Sequence, residues 1–160
     1  MSTTYHLHRT QLVPRPLDEV FAFFADAVNL EAITPEFLQF HILTARPIEI
    51  RAGALIDYRL KLFGIPFQWQ TRIDEFVPGV RFIDSQTRGP YRRWHHTHEF
   101  QAVDGGTLVT DRVEYEMRLG MLGNIARNLF VARTLEQIFD HRQRRIAELL
   151  PAESAARAVS

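Results

Sequence analysis

Residues 89–100 read Gly-Pro-Tyr-Arg-Arg-Trp-His-His-Thr-His-Glu-Phe, a predicted turn followed by a predicted strand. Side chains of a strand alternate between its two faces, so Trp94, His96, His98 and Phe100 share one face. The large apolar residues at both ends of this face, Trp94 and Phe100, indicate that it points into a core. Buried imidazoles need hydrogen bonds or a wet cavity. The stretch therefore predicts a sheet that curves around a partly polar hollow.

The composition is that of a single globular domain. The chain has 160 residues, of which 46% are hydrophobic and 24% charged. Its formal net charge of zero argues against nucleic-acid binding, which usually requires a basic surplus. The absence of cysteine excludes disulfides, thiolate catalysis and cysteine-ligated metals. Because there is no apolar run typical of a signal peptide or a membrane helix, we expect a cytoplasmic protein without membrane insertion.

The pattern of hydrophobic residues predicts seven strands and three helices. Period-two alternation and turn residues place strands at residues 5–13, 37–45, 55–62, 67–76, 80–87, 91–103 and 107–117. Two short helices, the first opened by Pro16 and the second capped by Asn29, separate the first two strands. Apolar residues recurring every three or four positions predict a long helix from Leu122 to Leu150. Residues 1–150 thus form one domain, and residues 151–160 are predicted to be a disordered tail.

The connections between these strands predict their arrangement. Short turns, of which Asp104-Gly105-Gly106 has the strongest hairpin signal, join most consecutive strands. Sequential hairpins give an antiparallel sheet, and a strongly curved sheet can bury one face around a long helix. We therefore expect an α+β fold in which the C-terminal helix lies against the concave face of the sheet, enclosing a core or a cavity.

This order resembles the helix-grip fold of the START-like, or SRPBCC, ligand-binding superfamily and is most similar to its polyketide cyclase/dehydrase-like bacterial branch. The resemblance covers Tyr5 to about Leu150. The matching motifs are Pro16–Phe21, Asn29–Pro35, Gly53 with Tyr58, Trp69, Pro78-Gly79 before Phe82–Gln86, Gly89-Pro90-Tyr91 with Trp94, His96 and His98, and Gly105-Gly106-Thr107 with Asp111, Val113 and Tyr115. The resemblance implies a seven-stranded antiparallel sheet around the C-terminal helix, with a hydrophobic ligand between the sheet and the helix. The superfamily includes lipid carriers, hormone receptors and cyclases, so the fold alone does not give the function.

The inward faces predict a set of residues lining the hollow. The expected ligand-binding residues are Tyr58, Trp69, Asp84, Gln86, Trp94, His96, His98, Asp111 and Tyr115. Neighbouring strands bring same-face residues within about 5 Å at Cβ, so contacts between the aspartates and the histidines are expected. His96, His98 and Asp111 are the catalytic candidates, because a carboxylate can orient an imidazole as a general acid or base. A purely structural hydrogen-bonding network is the favoured interpretation of the same residues.

Two further features admit simple explanations. His96, His98 and Asp111 could ligate a metal, but strand alternation alone produces the same spacing, so neither a metal nor a cofactor is predicted. Arg142, Arg144 and Arg145 form a basic patch near the end of the long helix. Favourable interaction with the helix dipole accounts for this patch.

Three classes of function remain open from the sequence. Binding of a small hydrophobic molecule of lipid, polyketide or aromatic type is preferred, because no motif is dedicated to a reaction. A cyclase or dehydratase using His96 or His98 with Asp111 is the second. The third is an interaction or oligomerisation module that uses the apolar loop Leu62–Phe67 or the segment Met117–Leu122, in a chain that is a monomer or a homodimer.

Overall fold

The structure is a computed structural model that describes residues 3–62, 64–118 and 125–153, with side chains described except at positions 125–128. Phe63, most of the segment proposed at Met117–Leu122, and residues 154–160 of the predicted tail lie outside the described residues. Within the described residues, no helix has both the length and the apolar character needed to cross a membrane.

The elements follow the predicted order. The strands are β1 (Thr4–Val13), β2 (His41–Ile42), β3 (Leu55–Leu62), β4 (Ile65–Val77), β5 (Arg81–Arg88), β6 (Arg93–Val103) and β7 (Gly106–Glu116). Two short helices, α1 (Leu17–Phe24) and α2 (Asn29–Ala32), lie between β1 and β2, and the long helix α3 (Ile125–Leu149) follows β7. Asn29 does not cap α2 as predicted; it is the first helical residue, and its side-chain amide donates to the Phe23 carbonyl.

The sheet is a single seven-stranded antiparallel layer in the order β1-β7-β6-β5-β4-β3-β2. Strands β2 to β7 pair with their neighbours in the chain, and β1 pairs with β7 along its whole length, from Thr4 opposite Glu116 to Val13 opposite Thr107. The predicted α+β helix-grip architecture is confirmed: a curved antiparallel sheet, a long C-terminal helix and two short helices between the first two strands.

The predicted strand at residues 37–45 is wrong over most of its length. A 3-10 turn occupies Glu36–Leu38, and only His41 and Ile42 pair with β3. Gln39 ends the turn with a positive φ of 45°. This left-handed conformation is incompatible with an extended strand, so the chain cannot pair until two residues later.

The core packs along α3 in two clusters. The part of the helix before Arg142 contributes Val131, Leu135 and Phe139 to a cluster that includes Trp94, and the part after it contributes Ile146 to a cluster with Phe100. Along β6, burial alternates strictly from Trp94 to Phe100, as the period-two pattern predicts. Between the two clusters, the same strand presents two buried histidines to the helix.

Polar contacts hold α3 against the edge strand β1. Arg9 of β1 pairs with Glu136 and, at 2.6 Å, with Asp140. Gln11 donates through Nε2 to the Gln143 carbonyl at 2.8 Å. These bonds fix the helix over the concave face and so set the distance between helix and sheet.

Candidate functional site

The polar cluster arises from the register of the three central strands. Asp84 of β5 lies opposite His96 of β6, and Asp111 of β7 lies opposite His98. Because directly paired residues point to the same face, both aspartates face the same side of the sheet as both histidines. The register thus creates the expected contacts between aspartates and histidines.

Each histidine is hydrogen-bonded to a carboxylate. His96 Nε2 lies 2.8 Å from Asp111 Oδ1, and His98 Nε2 lies 2.7 Å from Asp84 Oδ2. His98 Nδ1 also lies 3.1 Å from Asp111 Oδ1, so both nitrogens of this ring contact carboxylates. His96 Nδ1 is 4.0 Å from the nearest oxygen of Asp84, which is beyond hydrogen-bonding distance. The two rings therefore differ. Both ring nitrogens of His98 contact carboxylates, whereas Nδ1 of His96 has no carboxylate of the described residues within hydrogen-bonding distance.

Burial and these contacts give the two histidines opposite pKa shifts. Burial, reinforced by the nearby His98, lowers the pKa of His96 to about 4. Burial also opposes the charged form of His98, but its hydrogen bonds to Asp111 and Asp84 outweigh this and raise the pKa of that ring. His96 is therefore the neutral imidazole at neutral pH, whereas the raised pKa of His98 favours the charged form of that ring.

Arg142 of α3 joins the cluster from the opposite side. Its Nη2 lies 3.8 Å from Asp111 Oδ1 and 3.5 Å from His98 Nδ1. Burial opposes ionisation of Asp111, but the Arg142 charge and hydrogen bonds from His96 and His98 hold its pKa well below the ordinary value. For Asp84, the hydrogen bond from His98 likewise outweighs burial and lowers the pKa. Both carboxylates are therefore ionised at neutral pH.

A cavity of about 210 Å³ opens beside this cluster, between the sheet, the short helices and α3. Most of its wall is apolar, including Leu30, Ile33, Leu60, Leu135, Ile138 and Phe139. Trp69 and Trp94 meet edge to face in the same wall, with ring centroids 5.4 Å apart. Thr71 lies beside them and accepts a hydrogen bond from Trp69 Nε1 at 3.0 Å. The site thus combines an apolar chamber with one charged, hydrogen-bonded wall.

Six of the nine residues expected to bind a ligand line this cavity. They are Tyr58, Trp69, Asp84, Trp94, His96 and His98. The other three are not among the lining residues. Asp111 holds His96, Gln86 bonds through its side-chain amide to the Tyr91 backbone, and Tyr115 stacks on Tyr5 with centroids 5.4 Å apart.

Arg142 is a lining residue that the sequence interpretation missed. It was attributed to a surface patch at the end of the helix, but it is only 9% exposed and lies in the cavity wall. The spacing of Arg142 from the apolar residues of the helix indicated this burial. Arg142 follows Phe139 by three residues and precedes Ile146 by four, which places it on the apolar stripe of the helix.

Asp84, His96 and His98 also form a group of the type that holds metal ions, with one ligand atom from each lying within 4.8 Å of the others. Two features disfavour this role. His98 and Asp84 are already bonded to each other, and the permanent charge of Arg142 lies 3.5 Å from His98. A metal ion bound by these residues would add further positive charge beside Arg142. The prediction that no metal binds here remains a prediction.

Comparison with known proteins identifies a matching family and several structures of similar fold. The family model described as polyketide cyclase / dehydrase and lipid transport matches residues 13–141. The Zhui aromatase/cyclase from a Streptomyces species superposes with a TM-score of 0.71 at 16% identity, over 92% of this chain and 94% of that one. A Chromobacterium violaceum protein gives 0.68 at 18% identity, over 94% and 99%. Major latex-like protein 151 from Panax ginseng gives 0.64 at 14%, over 92% and 97%. At these identities the likeness establishes the fold alone, and no curated protein matches the chain in sequence.

Proposed function

The chain belongs to the polyketide cyclase / dehydrase and lipid transport family, and we propose that it binds a small, largely hydrophobic molecule in the cavity between the sheet and α3. One observation carries the proposal: an apolar chamber of about 210 Å³ has a single wall of convergent polar groups. Apolar pockets with a few placed polar groups are typical small-molecule sites. The volume of the chamber also exceeds the volume of the few waters that a purely structural network would enclose.

We propose that the cavity-lining residues among those predicted from the sequence contact the ligand directly. Tyr58, Trp69 and Trp94 would supply flat apolar surface, and His96 would supply a polar contact. Asp111, Gln86 and Tyr115 would act indirectly, by holding the residues that form the wall. A cytoplasmic location and the oligomeric state stay predictions.

The proposal is tested by closing the cavity. Ile138 lines it from α3 and is partly buried, whereas the adjacent Gln137 is exposed. We expect calorimetry to detect saturable one-site binding of naphthalene, an apolar probe, by the unmodified protein. Ile138→Trp should abolish binding and Gln137→Trp should retain it, with circular dichroism confirming that both variants fold. Failure of the unmodified protein to bind, or equal binding by both folded variants, would overturn the proposal.

A cyclase-type acid–base reaction is the second candidate, and it is favoured by the His96–Asp111 contact and by the aromatase/cyclase of similar fold. Of the two buried histidines, only His96 has a ring nitrogen left for a substrate, because both nitrogens of His98 contact carboxylates. If this chain converts a poly-β-carbonyl substrate, His96→Gln should abolish turnover and His95→Gln should not. Turnover that survives His96→Gln would contradict the acid–base assignment while leaving the binding proposal intact.

A further inference from the structure

Arg142 lacks a good hydrogen-bond acceptor, although it is a buried cation. Among the described residues, its Nε is buried with no partner, and its Nη2 is 3.8 Å from Asp111, too far for a hydrogen bond. Its remaining polar contact is a long one, to His98 Nδ1 at 3.5 Å, and Asp111 Oδ1 lies closer to that nitrogen, at 3.1 Å. The guanidinium is held instead over the rings of Phe24 and Phe139.

This arrangement indicates a missing partner. A guanidinium has five N–H donors, and leaving buried donors unpaired is unfavourable. Since Arg142 forms part of the cavity wall, a ligand oxygen in the chamber is the natural acceptor. The ion pair with Asp111 supplies charge balance but not this hydrogen bond.

His96 presents the complementary group to the same cavity. Its Nε2 donates to Asp111 Oδ1, which fixes the proton on that nitrogen. Its Nδ1 is then a hydrogen-bond acceptor, and the nearest carboxylate oxygen, from Asp84, is 4.0 Å away. Within the part of the chain that the structure describes, the cavity wall therefore contains a donor without an acceptor and an acceptor without a donor.

The charges of the cluster select between the possible ligand groups. Asp84 and Asp111 are negative, Arg142 is positive and His96 is neutral, so the cluster has no excess positive charge even when His98 is protonated. A ligand carboxylate would add a buried negative charge without a counter-ion, which is unfavourable. A neutral hydroxyl adds no charge, and it can accept from one partner and donate to the other.

The volume of the cavity suits a compact ring compound. A cavity of about 150 Å³ is large enough for benzene, so the observed volume of about 210 Å³ accommodates a molecule of one or two rings. The aromatic side chains of Trp69 and Trp94 suit a flat ligand.

Resting on the proposed binding function, we infer that Arg142 and His96 together select a neutral hydroxyl on a one- or two-ring compound. The ligand oxygen accepts from the Arg142 guanidinium, and the ligand O–H donates to His96 Nδ1. Arg142 is thereby a ligand-binding residue and not part of a surface patch.

Four matched probes test this inference on the unmodified protein: naphthalene, 2-naphthol, 2-methoxynaphthalene and 2-naphthoate. We expect calorimetry to give an affinity for 2-naphthol at least about tenfold above that for naphthalene, because the hydroxyl forms two hydrogen bonds that naphthalene cannot form. The methyl ether can accept from Arg142 but cannot donate to His96, so it should bind more weakly than 2-naphthol. The carboxylate should bind more weakly than the naphthol.

The outcomes separate this inference from the proposed function. If naphthalene binds as tightly as 2-naphthol, or if 2-naphthoate binds more tightly than both, hydroxyl selection is wrong while the binding function stands. If none of the four binds, the binding function fails and the inference fails with it.

Variants of α3 test whether Arg142 is responsible for the preference for a hydroxyl. Arg142→Met should remove the preference for 2-naphthol over naphthalene, whereas Arg144→Met, on the exposed side of the same helix, should keep it. An unchanged preference in folded Arg142→Met would overturn the role of Arg142. If that variant does not fold, the probe series on the unmodified protein still decides whether a hydroxyl is selected.

Discussion

His95 and His96 are neighbours in sequence but lie on opposite faces of β6. His96 is 5% exposed and bonded to a buried carboxylate. His95 is partly exposed on the outer face, and its Nδ1 lies 3.1 Å from the hydroxyl of Ser85, which in turn donates to Asp74. Both histidines therefore have polar partners, but only the inner one is removed from water.

The same contrast holds for the charged pairs of the two faces. On the outer face, Arg93 and Glu114 are 3.3 Å apart with side chains 51% and 41% exposed. Such surface pairs contribute little, because water and salt screen them. On the inner face, the Asp111 carboxylate is shared by His96, His98 and Arg142. The face of the strand, and not the residue type, therefore determines how much each group contributes to stability.

The largest difference between the faces should appear when one carboxylate is neutralised on each. Asp111→Asn leaves the buried Arg142 without its nearest counter-ion, so we expect the free energy of unfolding to fall by about 3–5 kcal/mol. Glu114→Gln on the outer face should change it by less than about 1 kcal/mol. Urea denaturation at pH 7 measures both. Similar losses in the two variants would show that the faces are energetically equivalent.

The second test uses pH to separate His96 from His95. The pKa of His96 is about 4 in the folded protein and about 6.5 in an unfolded chain. Between these values the unfolded state binds more protons, so the free energy of unfolding should decrease as pH falls from about 6.5 to 4, by about 3 kcal/mol. The raised pKa of His98 acts above this window, because its contribution is fully present below the unfolded value and is lost as pH rises.

Two matched variants assign this acid sensitivity. His96→Gln keeps a side-chain donor toward Asp111 but cannot titrate, so it should flatten the decrease between pH 6.5 and 4. His95→Gln on the outer face should leave the decrease unchanged. Denaturation curves measured across this pH range would contradict the assignment if His95→Gln were the variant that flattened it.

The smallest effect is expected for the outer histidine at neutral pH. Replacing His95 by Gln removes its contact with Ser85, but water can satisfy the groups that remain. We expect the free energy of unfolding to change by no more than about 0.5 kcal/mol. A loss above 2 kcal/mol in urea denaturation at pH 7 would mean that the outer network is as important as the inner one.

Much of the fold could be predicted because alternation and turn chemistry are local. The strict alternation from Trp94 to Phe100 placed His96 and His98 inward, and the hairpin at Asp104-Gly105-Gly106 placed Asp111 beside them. The strand expected at residues 37–45 could not be corrected in the same way. A single positive φ at Gln39 interrupts it, and no apolar pattern marks that conformation.

The site itself was predicted only in part. Alternation assigned Gln86 and Tyr115 to the inner faces, but it could not show whether an inward side chain reaches the chamber or packs behind its wall. Arg142 was missed because a cation near the end of a helix is explained by the helix dipole. Its position three residues after Phe139 was the overlooked signal.

By itself, the sequence determined which residues face inward, since the periods of strands and helices are properties of the backbone. The tertiary structure alone decided which of those residues meet. Arg142 and His98 are 44 positions apart in the chain, yet their side chains come within 3.5 Å of each other between α3 and β6. The opposite pKa shifts of His96 and His98 were likewise decided there, because a pKa depends on burial and on through-space distances to other charges.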